Sequence, residues 1–158
     1  MTRPLVLAGT DPSDARVAFS DFTQPHDDAR TWLRVHLSGE GLSAACAIET
    51  LGGDDGQTVD PGAGEGVRPH ESVRLSQLLV DLGSGPLWEG TRHWRTINGE
   101  LAVELVVDRH GHVDVTFRLV PLPWHATWMA STTLGYALGD LIGAGRDLAN
   151  WVDIQSLP

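Results

Sequence analysis

Apolar and polar residues alternate along most of this chain, and the period of alternation changes at only a few places. Pro4 to Ala8 is apolar enough for a short strand. From Ala15 to Phe22, Val17, Phe19 and Asp21 stand opposite Arg16, Ala18 and Ser20. Thr31 to Ser38 alternates more cleanly, with Leu33, Val35 and Leu37 on one face and Trp32, Arg34 and His36 on the other. Leu42 to Thr50 is a further strand candidate. A period of two is the signature of a strand with one face buried. The period lengthens at Leu75, Leu78, Leu79 and Leu82, which form one apolar stripe at helical spacing. Gly83 fits the position just past the helix, where a left-handed residue ends it, and Ser72 is a candidate cap.

Period two then returns. Thr91 to Ile97 and Glu100 to Asp108 flank Asn98-Gly99, a strong hairpin signal because both turn residues need positive φ. Leu101, Val103, Leu105 and Val107 point one way. A second turn, Asp108 to His112, contains Gly111, which is free of the Cβ clash at positive φ. Val113, Val115, Phe117 and Leu119 form the next inward face, and Pro121 and Pro123 end it. Trp124, Ala126, Trp128 and Ala130 read as the last strand of an antiparallel meander. A second helix is predicted between Gly139 and Trp151, on Leu141, Leu148 and Val152. Gly139, Gly143 and Gly145 each cost roughly 1 kcal/mol against alanine in a helix interior. That helix is therefore held by packing, or its small face lies close against the sheet. Together the pattern predicts an α+β fold: a single mostly antiparallel sheet of about six to eight strands with two helices on one face.

Gly52 to Pro69 breaks every period with glycine and proline. It carries Asp54, Asp55, Asp60 and Glu65 against Arg68, and reads as a long, flexible acidic loop at about 52–69. The 158 residues fit one domain, 1–158, with a core large enough to need neither metal nor disulfide. The formal charge is -10, and all eleven basic residues are arginines. That balance disfavours nucleic acid and favours encounter with a basic partner. Cys46, the single cysteine, lies in a small apolar run and reads as a buried strand residue. No apolar stretch approaches the ~20 residues that span a bilayer, and the start of the chain does not read as a signal peptide. A cytoplasmic protein without membrane attachment is the expectation.

Trp88, Gly90, Trp94, Asn98, Gly99, Leu101, Asp108, Gly111, His112, Val113 and Trp124 form an ordered set. In this set the chain resembles an uncharacterised bacterial domain family similar to the immunity proteins of wall-associated polymorphic toxins. The resemblance is good from Trp88 to Val113, looser over the leucine-rich helix, and only strand-like in the N-terminal third. It implies a small α+β protein that binds and neutralises a cognate toxin, and it carries no catalytic residues and no cofactor.

Reaction chemistry is sparse in the residues themselves. His110 and His112 flank Gly111 and could offer two nitrogens to a metal, with Asp108 or His93 as a third ligand, but a structural turn is the better reading. Asp54, Asp55 and Asp60 lack the calcium-loop spacing. No Gly-x-Ser-x-Gly elbow and no phosphate loop occur. The expectation is a non-enzyme without cofactor or metal that binds a protein partner, such as a basic toxin domain. Asp54, Asp55, Asp60 and Glu65, with Trp32 and Arg34, are the candidate contact residues, since Trp and Arg are enriched at hot spots. A homodimeric structural or regulatory domain is the alternative, and a small hydrolase a more distant one. The sequence sets no oligomeric state.

Overall fold

A computed structural model of the chain describes residues 3–23, 32–49, 56–59, 74–96, 99–121 and 128–155. The first four strand candidates form one antiparallel sheet: β1 (Leu5–Leu7), β2 (Arg16–Thr23), β3 (Trp32–Gly39) and β4 (Leu42–Glu49), in that order. A second antiparallel sheet holds β5 (Gly56–Val59), β6 (Gly90–Thr96), β7 (Leu101–Val107), β8 (His112–Leu119) and β9 (Ala130–Ala137), also in chain order. Helix α1 (Leu75–Ser84) lies between β5 and β6 in the chain, and α2 (Leu141–Gln155) follows β9 after a short 3-10 turn, Leu138–Asp140.

The single sheet predicted from the alternation is therefore two sheets. Alternation tells each strand which face to bury but not which strands share a ladder. Both sheets bury their apolar faces in one continuous core. Val17, Phe19, Val35 and Leu37 come from the first sheet, and Leu101, Leu105, Val113 and Leu119 from the second.

The segment after β1 joins the sheets. The backbone N–H of Thr10 donates to the carbonyl of Gly135 in β9 at 2.8 Å, and that of Asp11 to the same oxygen at 3.4 Å. A Cβ on Gly9 would stand 2.6 Å from this oxygen and 2.8 Å from the Gly135 nitrogen. Backbone meets backbone here, and only glycine leaves room. The same segment braces the β3–β4 turn, where the N–H of Glu40 donates to the Asp14 carboxylate at 3.1 and 3.2 Å.

Several local expectations change. The predicted loop at 52–69 contributes β5, which pairs Gly56 with Thr96 and Val59 with His93, because the edge of β6 offers an unpaired ladder. The rest of that stretch lies outside the described residues. The last strand is Ala130–Ala137 rather than 124–130, and Trp128 precedes it, exposed. In β2 the alternation breaks at Asp21, which sits at φ 53 in a one-residue bulge and is exposed rather than inward. The bulge keeps an unpaired carboxylate out of the core and resets the parity of the strand. Phe22 then meets the ring of Trp151 edge-on at 6.1 Å. Trp151 also packs 6.3 Å from Phe19 and donates its indole N–H to the Arg3 carbonyl at 3.0 Å. This ties α2 to the first sheet.

Gly83 does not end α1; it lies inside it, and the helix stops at an extended Gly85. Its role is close approach. A Cβ there would stand 2.9 Å from Ile142 Cγ1 and 3.0 Å from the Leu138 carbonyl. On α2, a Cβ at Gly145 would stand 2.7 Å from the Ser76 carbonyl and 3.1 Å from Leu79 Cβ. The small face of α2 thus lies against α1, not against the sheet. Among the described residues no helix is long and apolar enough to cross a membrane.

Two glycine substitutions separate packing from helix propensity. Gly143 has open space around it, so Gly143→Ala should stabilise by about 0.5–1 kcal/mol, whereas Gly145→Ala should destabilise by about 1–3 kcal/mol through overpacking. Urea unfolding checks both; stabilisation by Gly145→Ala would refute the tight helix contact. Gly9→Ala should lower stability by about 2–3 kcal/mol, since a backbone atom cannot rotate away. A melting curve unchanged from wild type would remove the glycine seam.

Candidate functional site

The outer face of the second sheet collects most of the polar side chains that converge. Strand register builds it in rows. Arg95 faces Ala102, which faces Arg118, which faces Ser131. One row along, His93, Glu104, Thr116 and Thr133 are aligned. The next row holds Val106, Asp114 and Gly135, and the last pairs His112 with Ala137. The rows exist because Trp94, Val103, Val115, Phe117 and their neighbours take the inward positions, leaving the alternate residues outside.

A groove of about 480 Å³ runs over this face, lined among others by His93, Arg95, Ala102, Glu104, Thr116 and Arg118. That volume suits a small ligand or a short peptide segment. Thr116 and Thr133 hydroxyls bond each other at 2.7 Å. His93 Nδ1 lies 3.7 Å from Glu104 Oε2. Arg95 and Arg118 have no ion-pair or hydrogen-bond partner among the described residues. They flank Ala102, whose side chain is a single methyl, and all three residues line the groove.

The other end of the face has the opposite character. Asp108 closes the β7–β8 turn: its Oδ1 accepts the backbone N–H of His110 at 2.8 Å and of His112 at 3.0 Å. These bonds, that of His112 first, hold the carboxyl below its ordinary range. Gly111 takes φ 79 to complete the turn. His112 Nε2 lies 2.9 Å from Asp114 Oδ1 and 3.7 Å from Asp11 Oδ2. The bond to Asp114, with the charges of Asp114, Asp11 and Asp108, raises the imidazole pKa against a smaller opposing effect of burial. One ligand atom from each of Asp11, His112 and Asp114 lies within 4.8 Å of the others. The set suits an imidazolium between two carboxylates, and the same three atoms could hold a divalent cation.

The sequence-predicted residues are dispersed. Trp32, half-buried, and Arg34, exposed, lie on the outer face of the first sheet, away from the groove. Asp54, Asp55, Asp60 and Glu65 lie outside the described residues, as do Asn98 and Trp124. Gly99 is at φ 75 with its N–H on the Thr96 carbonyl at 2.9 Å. Trp94 is a core residue, and Gly90 sits at φ 132. Trp88 packs on the core with Arg92 over its ring at 5.3 Å. His112 converges with Asp11 and Asp114, not with His110 or His93. Cys46 faces inward but is only half-buried; burial, then the charge of Glu100, pushes its thiol to about 11. A thiol so hard to ionise is a poor nucleophile.

Arg95, Glu104, Thr116, Arg118 and Asp11 were not singled out from the sequence. The first four could have been placed from the polar side of each strand once the hairpin register was known. Asp11 has no local signal, because only the seam at Gly135 brings it to β8.

The His112 contacts predict a pH dependence. A folded pKa raised above 6.5 contributes stability that is full below that value and lost as pH rises through the folded pKa. His112→Gln should therefore melt below wild type at pH 5.5 and converge with it at alkaline pH. A difference that instead grows with pH would contradict the contact. The effect should be small, since the ring is about two-fifths exposed.

No curated protein and no solved structure matches the chain. One family matches residues 65–155, more than half of the chain, taking in α1, β6 to β9 and α2 but not the first sheet. Its description assigns no function, and nothing in it links the family to toxin immunity. The chain belongs to this family of unknown function, DUF6228.

Proposed function

We propose that this is a non-catalytic binding protein that meets a protein partner through the outer face of its five-stranded sheet. The observation that carries the reading is the groove lined by Arg95 and Arg118, two arginines without ion-pair partners among the described residues, in a chain whose acids number 21 against 11 bases. Unpaired arginines over a preformed groove are what an interaction surface offers a partner. The finer reading is immunity: the protein occludes a cognate toxin. It is supported by the resemblance carried by Trp88 to Val113 and by the -10 charge, which speeds approach to a basic surface. Asp54, Asp55, Asp60 and Glu65 add to that attraction.

Co-expression with the product of the neighbouring gene tests this reading. Wild-type chain should relieve growth arrest caused by that product and co-elute with it. Thr133→Trp, at an exposed position of β9, should weaken both by at least about tenfold without changing the melting temperature, as loss of a central contact does. Full protection by Thr133→Trp would move the working surface elsewhere. A harmless neighbour from a metabolic operon would end the immunity version.

Exposed Met129 (64%) and Trp128 (39%) at the entry to β9 favour a second reading, association with another copy of the chain. Sedimentation at high concentration distinguishes it, since a monomer excludes it.

A further inference from the structure

We propose that the groove over Ala102 is a receptor for one carboxylate side chain, Asp or Glu, of the protein partner, clamped between Arg95 and Arg118. The inference rests on the binding reading above and names the group that the surface recognises.

Three observations lead to it. First, Arg95, Ala102 and Arg118 are register partners on adjacent strands. Two strand spacings of about 4.8 Å put the arginine backbones roughly 10 Å apart. Long side chains leaning inward from both sides can reach one planar anion between them, and the methyl group of Ala102 leaves the floor open. Second, the guanidinium groups are unpaired among the described residues, although the chain carries a formal charge of -10. Glu104, whose carboxylate lines the groove, lies beside His93 at 3.7 Å. Among the described residues no carboxylate pairs with either arginine. Third, the surroundings limit the charge of the ligand. Glu104 lines the same groove, and the whole chain is acidic. A singly charged carboxylate gains two forked, charge-assisted contacts there. A dianionic phosphate gains the same contacts but meets more repulsion from Glu104, and a nucleic acid strand meets the whole acidic surface.

The other end of the face sharpens the geometry. Asp108, Asp114 and Asp11 gather about His112, so the face runs from basic at Arg95 and Arg118 to acidic at the β7–β8 turn. A partner that seats its carboxylate over Ala102 has one orientation in which its basic residues meet the acidic end. The clamp therefore fixes register as well as contributing affinity.

The test uses the full chain, labelled with nitrogen-15, and the peptide acetyl-Ala-Ser-Glu-Ser-Ala-amide titrated into the millimolar range. The Nε–H resonances of Arg95 and Arg118 should shift and saturate together. The peptide with Gln in place of Glu should bind at least about fivefold more weakly, as loss of a charge-assisted contact requires. The phosphoserine peptide should also bind more weakly than the Glu peptide, and Glu104→Gln should narrow that gap. Arg95→Gln and Arg118→Gln should each weaken the Glu peptide, and Ala102→Glu should abolish its binding by filling the clamp from within. Binding that survives Ala102→Glu, equal response to the Gln peptide, or no saturable shift overturns the proposal. Tighter binding of phosphoserine replaces carboxylate with phosphate and overturns it equally. If the peptide fails while Thr133→Trp still disrupts the partner complex, only the carboxylate assignment falls and the binding face stands.

Discussion

The architecture depends on one close approach between backbones. At Gly9 and Gly135 the segment after β1 lies against β9, with the Thr10 and Asp11 amides on the Gly135 carbonyl. Two antiparallel meanders could otherwise form with any relative placement, because each satisfies its own ladder. The seam fixes that placement. It connects residues 125 positions apart, and it leads into the segment that braces the β3–β4 turn through Asp14. It also carries Asp11 across to His112. Most of what distinguishes this molecule from two independent sheets follows from the missing Cβ atoms at that contact.

The helices repeat the device. Gly83 and Gly145 let α1 and α2 approach more closely than side chains allow, so these two glycines weaken their helices locally and let the pair pack. Leu75, Leu79, Leu141 and Leu148 then close the core, and Trp151 bolts α2 to Phe19 and Phe22. Local propensity and tertiary packing oppose each other at these positions, and packing wins because contact loss in a dense core costs more than the roughly 1 kcal/mol of propensity.

Function follows from the face that the core leaves over. Each inward residue of β6 to β9 assigns its neighbours to solvent, and the register then groups them: arginines around Ala102, threonines in the centre, carboxylates around His112. None of this charge ordering is a property of a single strand. The part of the chain that matches the family of unknown function includes this whole face apart from β5, whereas the first sheet lies outside the match. The first sheet supplies one half of the core and, through Asp11, one member of the acidic end.

By itself the sequence determined most of the elements. Alternation marked β2 and β3, short apolar stretches marked β1 and β4, Gly99 and Gly111 marked the two turns by their need for positive φ, and leucine spacing marked α1. These signals are local, so they are legible without the fold. It also determined the acidic balance and the poverty of reaction motifs. Only the tertiary structure decided that the strands divide into two sheets, that 56–59 pairs with β6, and that Asp21 turns outward in a bulge. It alone decided that Gly145 serves a helix contact, that Asp11 meets His112, and that Arg95 and Arg118 share a groove. Each of these rests on which distant surfaces meet, and alternation within a strand specifies a buried face without naming what covers it.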